Sequence, residues 1–126
     1  MLRLRSRCRS VAGATIRSVS RALNRTASIG PNDYAAHRYK RFGRGSIINW
    51  PTGNMYGERW ISIGEDTMIA ADVTLSAGML PDQEMLTDPV VMIGDRCLIG
   101  RGSAIVGHYR IDIGDDVFTG MNVYIT

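Results

Sequence analysis

The chain has 126 residues and a net charge of +3 at pH 7, enough for one modest domain. It contains no run of 18 apolar residues, which excludes a membrane-spanning helix of the usual kind. Its two cysteines are too few for a disulfide framework, and its two histidines cannot supply a three-histidine zinc site. We therefore expect a reducing, cytoplasmic setting and no bound metal.

The charges are unevenly distributed along the chain. Residues 1–44 carry eleven arginine or lysine residues against one acid, whereas residues 45–126 carry four basic residues against eleven acids. This split predicts that the basic part either lies on the acidic part or binds a polyanion or a membrane surface.

Residues 1–25, from Met1 to Arg25, are predicted to form a basic amphipathic α-helix. Apolar residues such as Ile16, Val19 and Leu23 recur at three- and four-residue steps, and the opposite face is rich in arginine. Arginines within the apolar stretch argue against a secretory signal, whereas the acid-free, Arg- and Ser-rich composition leaves an organellar transit peptide as an alternative. We predict that this helix caps the lower end of the domain that follows. Residues 1–41 are assigned to the helix and its linker.

Residues 42–126 repeat themselves. Ile93-Gly94-Asp95 matches Ile113-Gly114-Asp115 at a step of 20 residues, and Ile63-Gly64 begins an earlier copy. Within each copy an aliphatic residue, usually followed by a small one, recurs every six residues. Such periods predict a solenoid, in which each unit buries its apolar face by stacking on its neighbours, so Ile99 should point inward. Four coils are readable, of which the first is degenerate and the last is incomplete.

This pattern resembles the hexapeptide repeat of the left-handed parallel β-helix acyltransferases, which include galactoside, maltose and serine acetyltransferases. The resemblance covers residues 42–126 and is most specific from Ile113 to Val117 and from Gly120 to Ile125. It implies an all-β solenoid of the left-handed parallel β-helix type, with about four coils of three short strands. Aliphatic residues point inward and small residues occupy the corners. Left-handed crossovers are rare exceptions among parallel strands, so the handedness rests on the resemblance.

The resemblance also implies a function. Family members transfer an acyl group from acyl-CoA, typically acetyl-CoA, to a hydroxyl or amine of a small-molecule acceptor. They are homotrimers whose active sites lie between neighbouring prisms, with the thioester arm along the groove and a histidine that deprotonates the acceptor. The sequence does not predict which acceptor is used.

His37 and His108 are the only histidines that could serve as the base in acyl transfer. In the family, the catalytic histidine follows the segment that matches Tyr124-Ile125-Thr126, so its counterpart is expected beyond Thr126. His108 lies one 20-residue step below that place and is the candidate catalytic residue of this chain, with ordinary solvent exposure in a loop as the alternative. A chain that is apparently truncated before the catalytic motif is expected to transfer acyl groups slowly or not at all.

Two segments interrupt the repeat. Residues 79–92 are rich in proline and acids and predict a loop that projects from one corner towards a neighbouring subunit. In the first coil, Trp50, Tyr56 and Trp60 either line a ligand pocket or plug the end of the solenoid.

A cysteine and two pairs of acids could in principle be catalytic, but their positions in the repeat predict structural roles. Cys97 falls on the small inward phase of the repeat and is predicted to be a buried space-filler. The paired acids Glu65-Asp66 and Asp115-Asp116 recur at one corner, which predicts solvated turn residues instead of an acid–base pair.

A second hypothesis has no catalysis. The solenoid would be a scaffold, and its basic N-terminal helix would bind an acidic or membrane surface, with no nucleic acid expected as a partner. Binding of a polyanion should weaken steeply as salt rises, whereas acyl transfer should require an intact histidine.

Overall fold

A computed structural model describes the backbone of residues 2–126 and the side chains of residues 5–126. Met1 and the side chain of Leu4, both placed in the predicted helix, lie outside the described residues. In chain order the elements are α1 (Leu2–Ala27), a 3₁₀ helix (Tyr34–Arg38), β1 (Arg41–Phe42), β2 (Ile47–Ile48), β3 (Met55–Tyr56), a second 3₁₀ helix (Glu58–Trp60), β4 (Ile61–Ile63), β5 (Met68–Ile69), β6 (Thr74–Ala77), β7 (Val91–Ile93), β8 (Leu98–Ile99), β9 (Ala104–Gly107), β10 (Ile111–Ile113) and β11 (Tyr124–Ile125).

Within residues 2–126, the eleven strands form three parallel sheets, which are the three faces of a prism. The first face is β1-β4-β7-β10, the second is β2-β5-β8, and the third is β3-β6-β9-β11. Consecutive strands lie on different faces, and each strand pairs in parallel with the strand one coil away. The chain therefore winds as a parallel β-helix, as the six-residue period predicts.

The four predicted coils are present. The first, although degenerate in sequence, has a strand on each face. The last has strands on the first and third faces and a single bridge between Phe118 and Leu98 on the second. The predicted insertion is also present, but β7 begins at Val91, so the irregular segment is residues 78–90.

Columns of aliphatic side chains fill the prism. On the second face, Ile48, Ile69 and Ile99 are fully buried and stack through the pairing of β2, β5 and β8. Leu75 and Ile105 form the corresponding buried column on the third face. The burial of Ile99 confirms the inward phase predicted from the repeat.

A second column consists of the small residues that come four places after the first residue of a repeat unit, and its hydrogen bonds explain why these residues are small and polar. Thr67 Oγ1 accepts a hydrogen bond from the Cys97 amide (3.1 Å) and donates to the Gly94 carbonyl (2.7 Å). Cys97 Sγ in turn donates to the Gly114 carbonyl (3.1 Å). Ser46 occupies the same place one coil below. Cys97 is therefore buried, as predicted, and its thiol also joins one coil to the next.

The N-terminal segment is helical, as predicted, but α1 does not cap the prism. Every residue from Arg5 to Ala27 except Gly13 is exposed. The lower end is closed instead by the segment after the helix, where Ile29 bridges to Ile48 and both Ala36 and Tyr39 are buried. These side chains take the place at the first coil that was predicted for the helix. No helix within residues 2–126 is apolar enough over sufficient length to cross a membrane.

The basic part of the chain divides in two. Four basic residues after the helix pair with acids of the prism, as in Arg38–Glu58 (3.2 Å) and Lys40–Asp88 (2.7 Å). No ion pair joins the arginines of α1 from Arg5 onward to a described acid. The prediction that the basic part lies on the acidic part is therefore correct for residues 38–44 and wrong for the described arginines of α1, which are exposed and pair with no acid of the coils.

Candidate active site

One corner of the prism, between the third and first faces, carries the longest connection between strands. Three segments turn there: residues 57–60 after β3, residues 78–90 after β6, and residues 108–110 after β9. We call these three segments the loop corner. The prediction that the insertion leaves from one corner is confirmed, and its contact with a neighbouring subunit stays a prediction.

His108 lies at the loop corner and is exposed. The pairing of β6 with β9 sets Ala77 against Gly107, which places His108 beside Gly78 at the root of the insertion. The Gly78 amide donates to the Gly107 carbonyl (2.8 Å), so the two turns are held together. No hydrogen bond or ion pair joins the His108 imidazole to another residue in the described part of the chain. The imidazole is therefore open to a ligand, but no carboxylate of residues 5–126 orients it.

The other histidine has a different position. His37 is exposed in the 3₁₀ helix Tyr34–Arg38, which lies below the first coil. The structure does not bring the two histidines together at the loop corner. Of the two, only His108 shares a corner with the insertion.

The insertion folds back along the loop corner. Thr87 Oγ1 donates to the carbonyl of Tyr109, the residue that follows His108. Glu84 pairs with Arg59 in the turn of the first coil, and Asp88 pairs with Lys40. The insertion therefore spans from the first coil to the third and contacts the segment that contains His108.

The anchoring role of Thr87 was not predicted from the sequence. Thr87 lies outside the hexapeptide period, so no repeat position marks it. A polar residue among prolines and acids also looks like ordinary loop composition. Only the fold shows that its hydroxyl group meets the segment containing His108.

A cavity of about 480 Å³ lies between the insertion and the first coil. Its lining consists of Arg38, Met55, Tyr56, Gly57, Glu58, Arg59, Pro81 and Asp82. Most of these residues are polar or charged, and the ion pair between Arg38 and Glu58 lies at its wall. The cavity is at the level of the first coil, whereas His108 belongs to the third.

The three aromatic residues of the first coil do not form one pocket. Tyr56 lines the cavity, which agrees with the prediction that these aromatic residues line a ligand pocket. Trp60 packs against the core, as expected if it closes the end of the solenoid. The Arg59 guanidinium lies 4.5 Å from the centre of its ring. Trp50 follows β2 at a different corner and is 39% exposed.

The paired acids are turn residues, as predicted. Asp95 Oδ1 accepts a hydrogen bond from the Glu65 amide (2.8 Å), and Asp115 Oδ1 accepts one from the Asp95 amide (2.8 Å). Asp116 adopts a positive φ of 59°, which aspartate tolerates. Its hydrogen bond with Arg96 (2.7 Å) lowers the pKa of the Asp116 carboxyl group. Asp95 and Asp115 each join their corner to the corner of the neighbouring coil, and no cluster of metal-binding side chains occurs among the described residues.

The insertion should be removable without loss of the coils. After deletion of residues 81–89, four residues would join β6 to β7, the number that already joins β3 to β4 at the same corner. We expect the circular dichroism spectrum of β-structure to persist. The midpoint of thermal unfolding should fall by roughly 5–10 °C, because Met85 packs on the core while the lost ion pairs are exposed.

Replacement of residues 81–89 by a Gly/Ser segment of equal length is the matched control for this deletion. It keeps the length of the connection and removes only its contacts. Loss of the β-structure signal in either chain would show that the insertion is part of the folded core, contrary to its assignment as a loop.

Comparison with known proteins identifies the repeat. The three-faced prism is a parallel β-helix, and residues 90–126 match the family model described as the hexapeptide repeat of succinyl-transferase. No curated protein and no solved structure matches the chain at the threshold of significance. The match covers the last two coils and supports membership of the hexapeptide-repeat family, and the three stacked parallel sheets are those of a left-handed parallel β-helix. The family includes acyltransferases.

Proposed function

We propose that the chain is an acyltransferase that uses acyl-CoA and acts on a hydroxyl or amine group of a small acceptor at the loop corner. The observation that carries this proposal is the position of His108, exposed beside the root of the insertion on a hexapeptide-repeat framework. The match of residues 90–126 to a repeat family that includes acyltransferases supports the reaction class.

In this proposal His108 acts as the general base. A neutral imidazole near pH 7 takes the proton from the acceptor group as that group attacks the thioester carbonyl. The acyl group moves directly to the acceptor, the thiolate of coenzyme A leaves, and the imidazolium returns the proton to it. His37 is the second imidazole of the chain, but its place below the first coil favours His108.

The turnover of this chain should be slow. A catalytic base works best when a third group holds it in the reactive orientation. His108 is exposed and receives no such hydrogen bond from the described residues. Rotation of the imidazole about its side-chain bonds then lowers the fraction of encounters in which it faces the acceptor.

The donor is proposed to bind in a groove between neighbouring prisms of a homotrimer. Four large apolar side chains at the loop corner are exposed: Met79, Leu80, Leu86 and Tyr109. A cluster of this kind is typical of a protein–protein contact surface. The deletion of residues 81–89 removes one of these side chains, so it should also lower the mass that sedimentation reports for the assembled protein.

The proposal is tested by thiol release from acetyl-CoA and succinyl-CoA in the presence of sugar and amine acceptors. Succinyl-CoA is included because the matching family model takes its description from a succinyl-transferase. We expect slow, acceptor-dependent thiol release. His108→Ala should lower the rate by about 10²-fold, the lower end of what a general base contributes, and His37→Ala should leave it unchanged.

Two outcomes would contradict the proposal. Thiol release that is equal in the parent chain and in His108→Ala would remove His108 from the mechanism. Absence of release with either donor, from a chain that folds normally, would favour a scaffold without catalysis.

A further inference from the structure

The helix α1 carries a concentrated positive charge that the rest of the chain does not neutralise. The first 27 residues contain seven arginines and no acid. As described above, the arginines from Arg5 onward make no ion pair with the described acids. Seven of the eleven acids in residues 45–126 are already paired with arginine or lysine, which leaves little on the prism to attract the helix.

The helix also has an apolar face with nothing packed on it. At 100° per residue, Val11, Ile16, Val19 and Leu23 fall on one side of α1. They are 67%, 68%, 54% and 49% exposed, respectively, so no part of the prism covers them. Arg17, Arg21 and Arg25 follow one another at four-residue steps on the other side.

The apolar face and the arginine-rich face of α1 together indicate which kind of partner the helix binds. A nucleic acid would bind the arginines but would leave the apolar face in water. A second copy of the chain could cover the apolar face but would place the arginines of two helices close together. The surface of an anionic bilayer accepts both, since apolar side chains enter the acyl boundary while arginines contact the phosphate groups.

We propose that α1 binds in the interface of an anionic phospholipid membrane and tethers the prism to it. The end of the helix is firmly joined to the first coil. Ser28 Oγ accepts a hydrogen bond from the Trp50 amide (3.0 Å), and Ile29 exchanges two backbone hydrogen bonds with Ile48 (2.8 and 2.9 Å). Membrane binding by the helix would therefore hold the lower end of the prism close to the membrane surface. This inference is independent of the proposed acyl transfer.

Flotation of the full chain with phosphatidylcholine vesicles, with and without phosphatidylglycerol, tests the proposal. The chain should float only with the anionic vesicles and less at high salt. Arg17→Gln with Arg21→Gln should weaken binding about 30-fold, at roughly 1 kcal/mol per arginine near an anionic surface. Ile16→Gln with Leu23→Gln should weaken it roughly tenfold or more through lost apolar burial. Glutamine is a good helix former, so both variants should remain helical.

Matched substitutions in the prism serve as controls. Met68→Gln changes an exposed apolar side chain of β5, and Arg44→Gln changes an exposed arginine of the first coil. Both should leave vesicle binding unchanged. Equal losses in these controls and in the α1 variants would show that the membrane contact is not specific to α1.

Three results would overturn the proposal. One is the absence of binding to anionic vesicles at low salt. Another is vesicle binding that is unaffected by Ile16→Gln with Leu23→Gln, since an interfacial helix needs its apolar face. The third is tighter binding to duplex DNA than to vesicles, unaffected by that same pair of substitutions, which would identify a nucleic acid as the partner.

Discussion

Ile99→Asp should unfold the prism. Ile99 is fully buried on the second face, above Ile69, and no described side chain there can pair with a carboxylate. Burial of an unpaired charge costs several kcal/mol, comparable with the whole free energy of unfolding of a small domain. We expect no cooperative thermal transition and loss of the β-structure signal in circular dichroism.

Met68→Asp is the control for this prediction. Met68 precedes Ile69 in β5 and points outward, with 42% of its surface exposed, so a carboxylate there remains hydrated. Its thermal transition should move by only a few degrees. If both variants unfold alike, or if Ile99→Asp melts like the parent chain, the assignment of inward and outward positions is wrong.

Gly64→Ala should also destabilise the fold strongly. A Cβ atom at Gly64 would lie 2.5 Å from the backbone of Gly94 and 2.3 Å from Asp95 Oδ1 in the next coil. Backbone atoms of a stacked coil cannot move aside without separating the strands. Displacement of the Asp95 side chain would also break the hydrogen bond that it accepts from the Glu65 amide. We expect a loss of roughly 3 kcal/mol or more in the free energy of unfolding.

The repeat supplies a control for this substitution as well. Gly114 occupies the same place in the Ile-Gly-Asp unit, but a Cβ atom there meets nothing within 4 Å. Gly114→Ala should therefore change the free energy of unfolding by less than about 1 kcal/mol. Similar losses in Gly64→Ala and Gly114→Ala in urea unfolding would show that coil spacing is not the reason for glycine at this position.

The coils were predictable because the same packing requirement applies to each of them. A short strand buries its aliphatic residue only against an equivalent residue in the next coil, which imposes the spacing seen at Ile63, Ile93 and Ile113. The small residue four places later was also predicted. Its hydrogen bond to the next coil was not, because Thr67 and Cys97 differ in chemistry and share only size and position.

The position of α1 was not predictable in the same way. An amphipathic pattern shows that a helix has an apolar face, but it does not show what covers that face. Ile29, Ala36 and Tyr39 close the first coil and leave α1 without that role. The sequence contains these residues but gives no period that links them to the coil.

The candidate site was predictable only in part. The 20-residue step places His108 at a corner, and the proline-rich composition predicts an insertion. That the two share one corner follows from the number of strands between them, since β6 and β9 occupy the same face. The bond from Thr87 to Tyr109 depends on how the insertion folds, which no repeat controls.

The proposed binding of coenzyme A at the loop corner can be tested directly, because the chain contains only two histidines. Nuclear magnetic resonance of the imidazole groups, assigned with His37→Ala and His108→Ala, would follow both side chains during addition of coenzyme A. Proximity of the donor to His108 predicts that its resonances shift with saturation while those of His37 stay in place. A shift of the His37 resonances alone, or no shift of either at saturating coenzyme A, would contradict an acyl-transfer site at the loop corner.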